Sequence, residues 1–110
     1  MKINNLTKGT VIATDLQRLD SLWGMIWGLL NKNNSRSLYF KTRFGIHTLG
    51  LKVPIDIIIL DEKFRVIKLG TIPPNRLFFW NPLYNNVIEL KQGIIKNSQI
   101  KLNDLLSITT

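Results

Sequence analysis

The chain of 110 residues contains no cysteine, so neither a disulfide nor a thiolate metal ligand is open to it. It has one histidine, His47. A zinc centre draws on several His and Cys ligands, so no metal and no cofactor are expected. The glycines do not form a phosphate-cradling loop, since Gly24 and Gly28 match no nucleotide-binding spacing. No Gly-x-Ser-x-Gly element occurs, and the serines have no nucleophile context. Long hydrophobic runs are also missing. The stretch Leu22 to Leu30 is about half the roughly 20 residues a membrane-spanning helix needs. The opening MKINNLTKGT has no apolar run behind its lysine, which reads against a signal peptide. The expectation is a soluble, cytoplasmic protein without a transmembrane segment.

Acidic residues are scarce and unevenly placed. There are 7 Asp plus Glu against 15 Lys plus Arg, a formal net charge of +8. No acid falls between Asp20 and Asp56, whereas Lys32, Arg36, Lys41, Arg43 and Lys52 all do. Such asymmetry suits an anionic partner, whether nucleic acid, phospholipid or acidic protein. A composition rich in Lys, Asn and Ile produces the same charge with no function attached.

What is present is a succession of short alternating segments punctuated by Gly, Pro and Asn, the pattern of a mainly β protein. The length predicts a single domain, 1–110. Residues 1–9 are polar and expected to be loosely held, with Val11 to Ala13 a first strand. Thr14-Asp15-Leu16-Gln17 reads as a capping box, and Leu16, Leu19, Leu22 and Trp23 follow at helical spacing. A short helix is therefore expected over 14–24, with Trp27 to Leu30 dropping into the core and 31–37 a loop. Leu38 to Phe44 alternates as a strand, placing Tyr39, Lys41 and Arg43 on one face.

Ile46 to Asp61 is the centre of the chain. Pro54 opens a strand in which Ile55, Ile57 and Ile59 point one way and Asp56, Ile58 and Leu60 the other, so both faces are covered. A turn at 61–63 and a strand at 64–69 complete a hairpin. Residues 70–75 read as an irregular crossing, and Asn81-Pro82 as a turn. Val87 to Leu90 is a further strand stopped at Gly93. Residues 94–103 stay open between a short helix and irregular structure, and Leu102 to Ile108 supplies a last strand.

The run from Ile46 to Asp56, continuing to Leu60-Asp61 and Val66, resembles the signature of domain-of-unknown-function family 192. Trp27 to Lys32 and Val87 to Gly93 are similar to that family's early and late elements, so the resemblance spans about 14–108. It departs from the family pattern at Lys32, at Leu51, and at Asn103-Asp104, which stands where the family has a Gly-Asp pair. The resemblance implies a small antiparallel β-barrel or sandwich with one or two short helices, and no particular activity.

The candidate site residues follow from this frame. An aspartate on a covered strand must be paired, because an unpaired buried carboxylate is costly. Asp56, with Pro54 and Gly50, is expected to form a structural hub that accepts amides of the Gly45–Val53 connection and the His47 ring. His47, Thr48, Tyr39, Lys41 and Arg43 are the candidate ligand-binding residues. The favoured reading is a non-enzymatic module that binds a ligand or partner near His47. One alternative is a small enzyme using a His47/Asp56 acid–base pair, with Asp61 or Glu89 as candidate third groups. Another is a binder of nucleic acid or another anion through the basic face.

Overall fold

The computed structural model describes residues 1–19, 37–43 and 45–110. Its strands are β1 (Lys2–Asn5), β2 (Thr10–Ala13), β3 (Gln17–Arg18), β4 (Leu38–Lys41), β5 (Ile46–His47), β6 (Ile55–Leu60), β7 (Val66–Ile72), β8 (Leu77–Phe78), β9 (Asn86–Lys91) and β10 (Leu106–Thr109). One short helix, α1 (Ile94–Asn97), lies among the described residues. The strands form a five-stranded sheet ordered β3-β4-β9-β6-β7, a three-stranded sheet ordered β10-β1-β2, and a two-stranded ribbon, β5-β8. The fold is mainly β and mainly antiparallel, as the alternation predicts. Among the described residues the sheets do not close into a barrel, and the β3–β4 pair is parallel.

β6 is the middle of the molecule because all six of its residues are buried. Its alternation divides the interior in two. Ile58 and Leu60 join Ile3, Ile12, Tyr39, Val66, Ile88 and Leu106 in a cluster between the five-stranded and three-stranded sheets. Ile55, Ile57 and Ile59 join Leu38, Phe40, Val87, Ile46 and Trp80 in a second cluster on the opposite face, which the β5–β8 ribbon covers. β-branched residues dominate β6, the chemistry that suits a pleated strand packed on both sides.

The hairpin β6–β7 forms as the sequence predicts, in antiparallel register from Ile55↔Ile72 to Leu60↔Val66. Its turn places Phe64 in the left-handed region at φ 66°. A bulky residue pays about 1–2 kcal/mol there relative to glycine.

Three expectations are corrected. Residues 1–9 are not loose as a whole: β1 is the central strand of its sheet, paired on both sides. Ile3 and Asn5 both point inward and are fully buried. The inward position of Asn5 is polar, which hides the strand from a hydrophobic pattern. Second, 14–19 is not the start of a helix. The amides of Leu16, Gln17 and Leu19 bond to the carbonyls of Met1, Ser37 and Tyr39, so strand partners override the capping signal. The remainder of that expected helix, the Trp27–Leu30 segment and 31–36 lie outside the described residues. Third, β7 extends to Ile72, and the last strand begins at Leu106 rather than Leu102.

Candidate binding face

The ribbon positions the candidate face. Ile46 pairs with Phe78 and His47 with Leu77. Ile46 and Phe78 turn into the second cluster, so alternation sends His47 and Leu77 outward together. Phe79 follows on the outer side. Its ring lies against Gly45, where a Cβ would meet Phe79 Cδ1 at 2.6 Å and the Phe78 carbonyl at 2.8 Å. Lys68 fastens the ribbon from β7, its Nζ 2.7 Å from the Phe79 carbonyl oxygen and 4.7 Å from the Phe78 ring centroid. Trp80 Nε1 donates to the Tyr84 carbonyl at 2.8 Å and closes the following turn.

This outer face leaves large apolar side chains in water. Leu77 is 64% exposed and Phe79 59%, and Leu49 and Val53 in the β5–β6 connection are more than half exposed. Lys52 and Arg76 are exposed on the same two segments. No carboxylate interrupts them. The sequence has no acid between Asp20 and Asp56, nor any between Glu62 and Glu89. The two acid-free runs meet in the β5–β8 register. The second run was the signal available in the sequence for β8's part in the face.

Thr48 does not line this face. It is fully buried. Its Oγ1 donates to the Pro73 carbonyl at 2.6 Å and accepts from the Arg76 amide at 2.9 Å. Its own amide donates to Arg76 O at 2.9 Å, and its carbonyl accepts from the Asn75 amide at 2.9 Å. Thr48 therefore sews the β5–β6 connection to 73–76, which is a structural role. Gly50, at φ 81°, completes the seam by donating its amide to Asn75 Oδ1 at 3.2 Å. His47 remains exposed, with Nδ1 accepting from the Leu49 amide at 3.3 Å.

Asp56 is a hub, but for a different loop. It is fully buried. Oδ1 accepts from Thr71 Oγ1 at 2.7 Å, and Oδ2 accepts from the amides of Gly93 and Ile95 at 3.1 and 2.9 Å. It ties the β9–α1 turn to β6, not the Gly45–Val53 connection. Both oxygens are engaged without His47, so the His47/Asp56 pair of the enzyme alternative does not form. Asp61 serves its own turn, its Oδ1 accepting the Lys63 and Arg65 amides at 2.9 Å each.

Tyr39, Lys41 and Arg43 do not make a stacking clamp. Tyr39 is buried, with its hydroxyl donating to Asn86 Oδ1 at 2.7 Å. Burial pushes the phenol's pKa up, and the Arg18 charge partly offsets this. Arg43 Nη1 donates to the carbonyls of Pro82 and Leu83 at 2.7 and 3.1 Å. Lys41 is exposed.

Two carboxylates gain significance from the structure. Asp104 is a second hub: Oδ2 accepts from Asn5 Nδ2 at 2.9 Å, Lys8 Nζ at 2.7 Å and the Lys101 amide at 3.0 Å. Burial alone would raise its pKa, but the hydrogen bonds from Lys8, Asn5 and Lys101 and the Lys8 charge outweigh it and hold it low. Glu89, flanked in register by Leu38 and Ile57, has no such support. Its Oε2 is buried without a hydrogen-bond partner, and burial pushes its pKa up to about 7. Among the described residues no three His, Asp or Glu gather as a metal site.

No family model and no curated protein matches the chain. Two solved structures share its fold. One is a protein provisionally assigned as a transcription regulator from Sinorhizobium meliloti. It superposes with a TM-score of 0.75 at 12% identity, over 96% of this chain and 89% of the other. The second is a protein of unknown function from Novosphingobium aromaticivorans, with a TM-score of 0.68 at 13% identity, over 97% and 82% of the respective chains. At such identities the likeness is one of fold.

Proposed function

We propose that this chain is a non-enzymatic binding module that takes an anionic partner on the outer face of the β5–β8 ribbon, around His47. The observation that carries this reading is the register His47↔Leu77, which sets an exposed imidazole beside exposed apolar side chains where two acid-free runs meet. Exposed apolar groups rimmed by cations are the chemistry of a recognition surface. The enzyme reading loses its acid–base pair, since Asp56 is saturated by Thr71, Gly93 and Ile95. Membership of domain-of-unknown-function family 192 belongs to the same proposal. Asn103 supports it: at φ 72° it adopts the left-handed conformation for which the family's glycine is suited, and asparagine tolerates that conformation better than most residues.

The S. meliloti neighbour makes nucleic acid the first anion to try. Fluorescence anisotropy with a labelled single-stranded oligonucleotide should show binding that weakens by at least about tenfold between roughly 50 and 200 mM salt. Lys52→Glu with Arg76→Glu should abolish it, and Leu77→Ser with Phe79→Ser should weaken it. Lys41→Glu, off this face, should have a smaller effect. The same measurements on phosphatidylserine vesicles and on a polyglutamate peptide complete the panel. Absence of binding to all three at low salt, or binding indifferent to the ribbon variants, refutes the reading.

A further inference from the structure

A second concavity lies away from the ribbon, where the edges of the two larger sheets meet the β6–β7 turn. It encloses about 450 Å³, within the span of small-molecule sites. Tyr39 of β4 and Phe64 of the turn form its aromatic wall, with ring centroids 5.6 Å apart and planes at 61°. Leu106 and Ile108 of β10 form the aliphatic wall, and Arg18 and Lys63 stand on the rim. The Arg18 guanidinium carbon lies 5.8 Å from the Tyr39 ring centroid. The ring beneath it is fixed in turn by the Asn86 hydrogen bond.

Two features make this more than a crease between sheets. First, Phe64 occupies a turn position with φ 66°, closed by its amide on Asp61 O and by the Asp61 amide on Arg65 O, each at 3.0 Å. A hairpin turn of this kind ordinarily takes glycine there. Strain of this sort points to what the side chain does: this ring packs against the first cluster on one side and completes the wall on the other. Second, the charges are ordered. Three cations, Arg18, Lys63 and the α-ammonium of Met1, line the cavity with one carboxylate, Glu62. The excess of positive charge suits an anionic group, and the apolar walls call for an apolar body attached to it. A guanidinium carries five donors in a planar fork, so one arm can serve a carboxylate while others keep their present contacts.

We propose that this groove is a binding site for a small apolar monocarboxylate, its body between Phe64, Tyr39 and Ile108 and its carboxylate on Arg18 and Lys63. The site is separate from the ribbon face and does not depend on it. Phenylacetate is a suitable probe, titrated into isotopically labelled protein and followed through backbone amide shifts. Saturable shifts at Arg18, Lys63, Phe64 and Ile108, with an affinity in the millimolar range or tighter, are expected. Arg18→Gln lies on an exposed strand and should weaken binding about tenfold, the worth of one charge-assisted hydrogen bond. Phenylacetamide, isosteric but neutral, should show the same loss against the parent protein. Phe64→Gly should remove saturable binding, and Phe64→Leu serves in its place if the glycine variant does not fold. The proposal is overturned if phenylacetate produces no saturable shifts at these residues. It is overturned equally if neither Arg18→Gln nor the amide changes the affinity, or if replacing Phe64 leaves it intact.

Discussion

At the residue scale the molecule is governed by a few buried polar groups whose partners lie far along the chain. Asp56 takes amides 37 and 39 residues away. The sequence showed that an aspartate on a covered strand must be satisfied; it could not show by whom, because the nearer amides of the Gly45–Val53 connection were equally plausible donors. Asp56→Ala strands the Thr71 hydroxyl and two amides, and should cost about 1–3 kcal/mol by urea denaturation. Asp56→Asn should cost less, since one carbonyl oxygen still accepts. His47→Ala should leave stability nearly unchanged, as its ring is exposed. Glu89 predicts a pH dependence of definite sign. Its folded pKa of about 7 stands above the ordinary 4.5, so the folded state holds the proton more tightly. Stability from this group is full below about pH 4.5, declines as pH rises, and is lost above about pH 7. Glu89→Gln should flatten that decline and raise stability at pH 8 by up to about 3 kcal/mol. A parent protein whose urea midpoint does not fall between pH 5 and 8 relative to Glu89→Gln would contradict this.

At the element scale, what was legible depended on whether a strand's buried positions were apolar. β6 and β9 present isoleucine, valine and leucine to both clusters, and both were readable from alternation. β1 buries Ile3 but also Asn5, and its pairing was invisible. The start of 14–19 carried a real helix signal, which lost to the carbonyls of Met1, Ser37 and Tyr39. β5 and β8 are two residues each, too short for any periodicity, so their outward face could not be assembled from sequence although its charge pattern was partly visible. The ribbon depends on Gly45, at φ 84° with Phe79 packed against it. Gly45→Ala combines an unfavourable backbone with an overlap against the Phe78 carbonyl. It should destabilise by at least about 1 kcal/mol, and should disturb the amide resonances of 45–47 and 77–79 before those of β6.

At the scale of the whole molecule, the separation of charge is produced by burial as much as by composition. Asp56 and Asp104 are buried and Glu89 largely so, while most lysines and arginines stay at the surface. The protein therefore presents more positive character to a partner than its formal +8 conveys. Asp104 supports this arrangement through the buried Asn5 contact and the 2.7 Å Lys8 bridge. Its lowered pKa means that stability from this hub is full above about pH 4 and is lost as pH falls through the folded value. Asp104→Asn should shift the acid-unfolding midpoint of the parent and lower stability at neutral pH, both measurable by circular dichroism.

The pairing of β1 with β10 sets Lys2 opposite Thr109 and Ile3 opposite Ile108. A ribosome delivers those partners more than a hundred residues apart in time. Until the final strand emerges, β1 can pair only with β2, and the Asn5–Asp104 contact cannot close. Contacts of such long sequence separation are the slow ones to form. The three-stranded layer is therefore completed only once β10 has emerged, and a nascent chain halted before residue 104 should present the first cluster uncovered to chaperones and proteases.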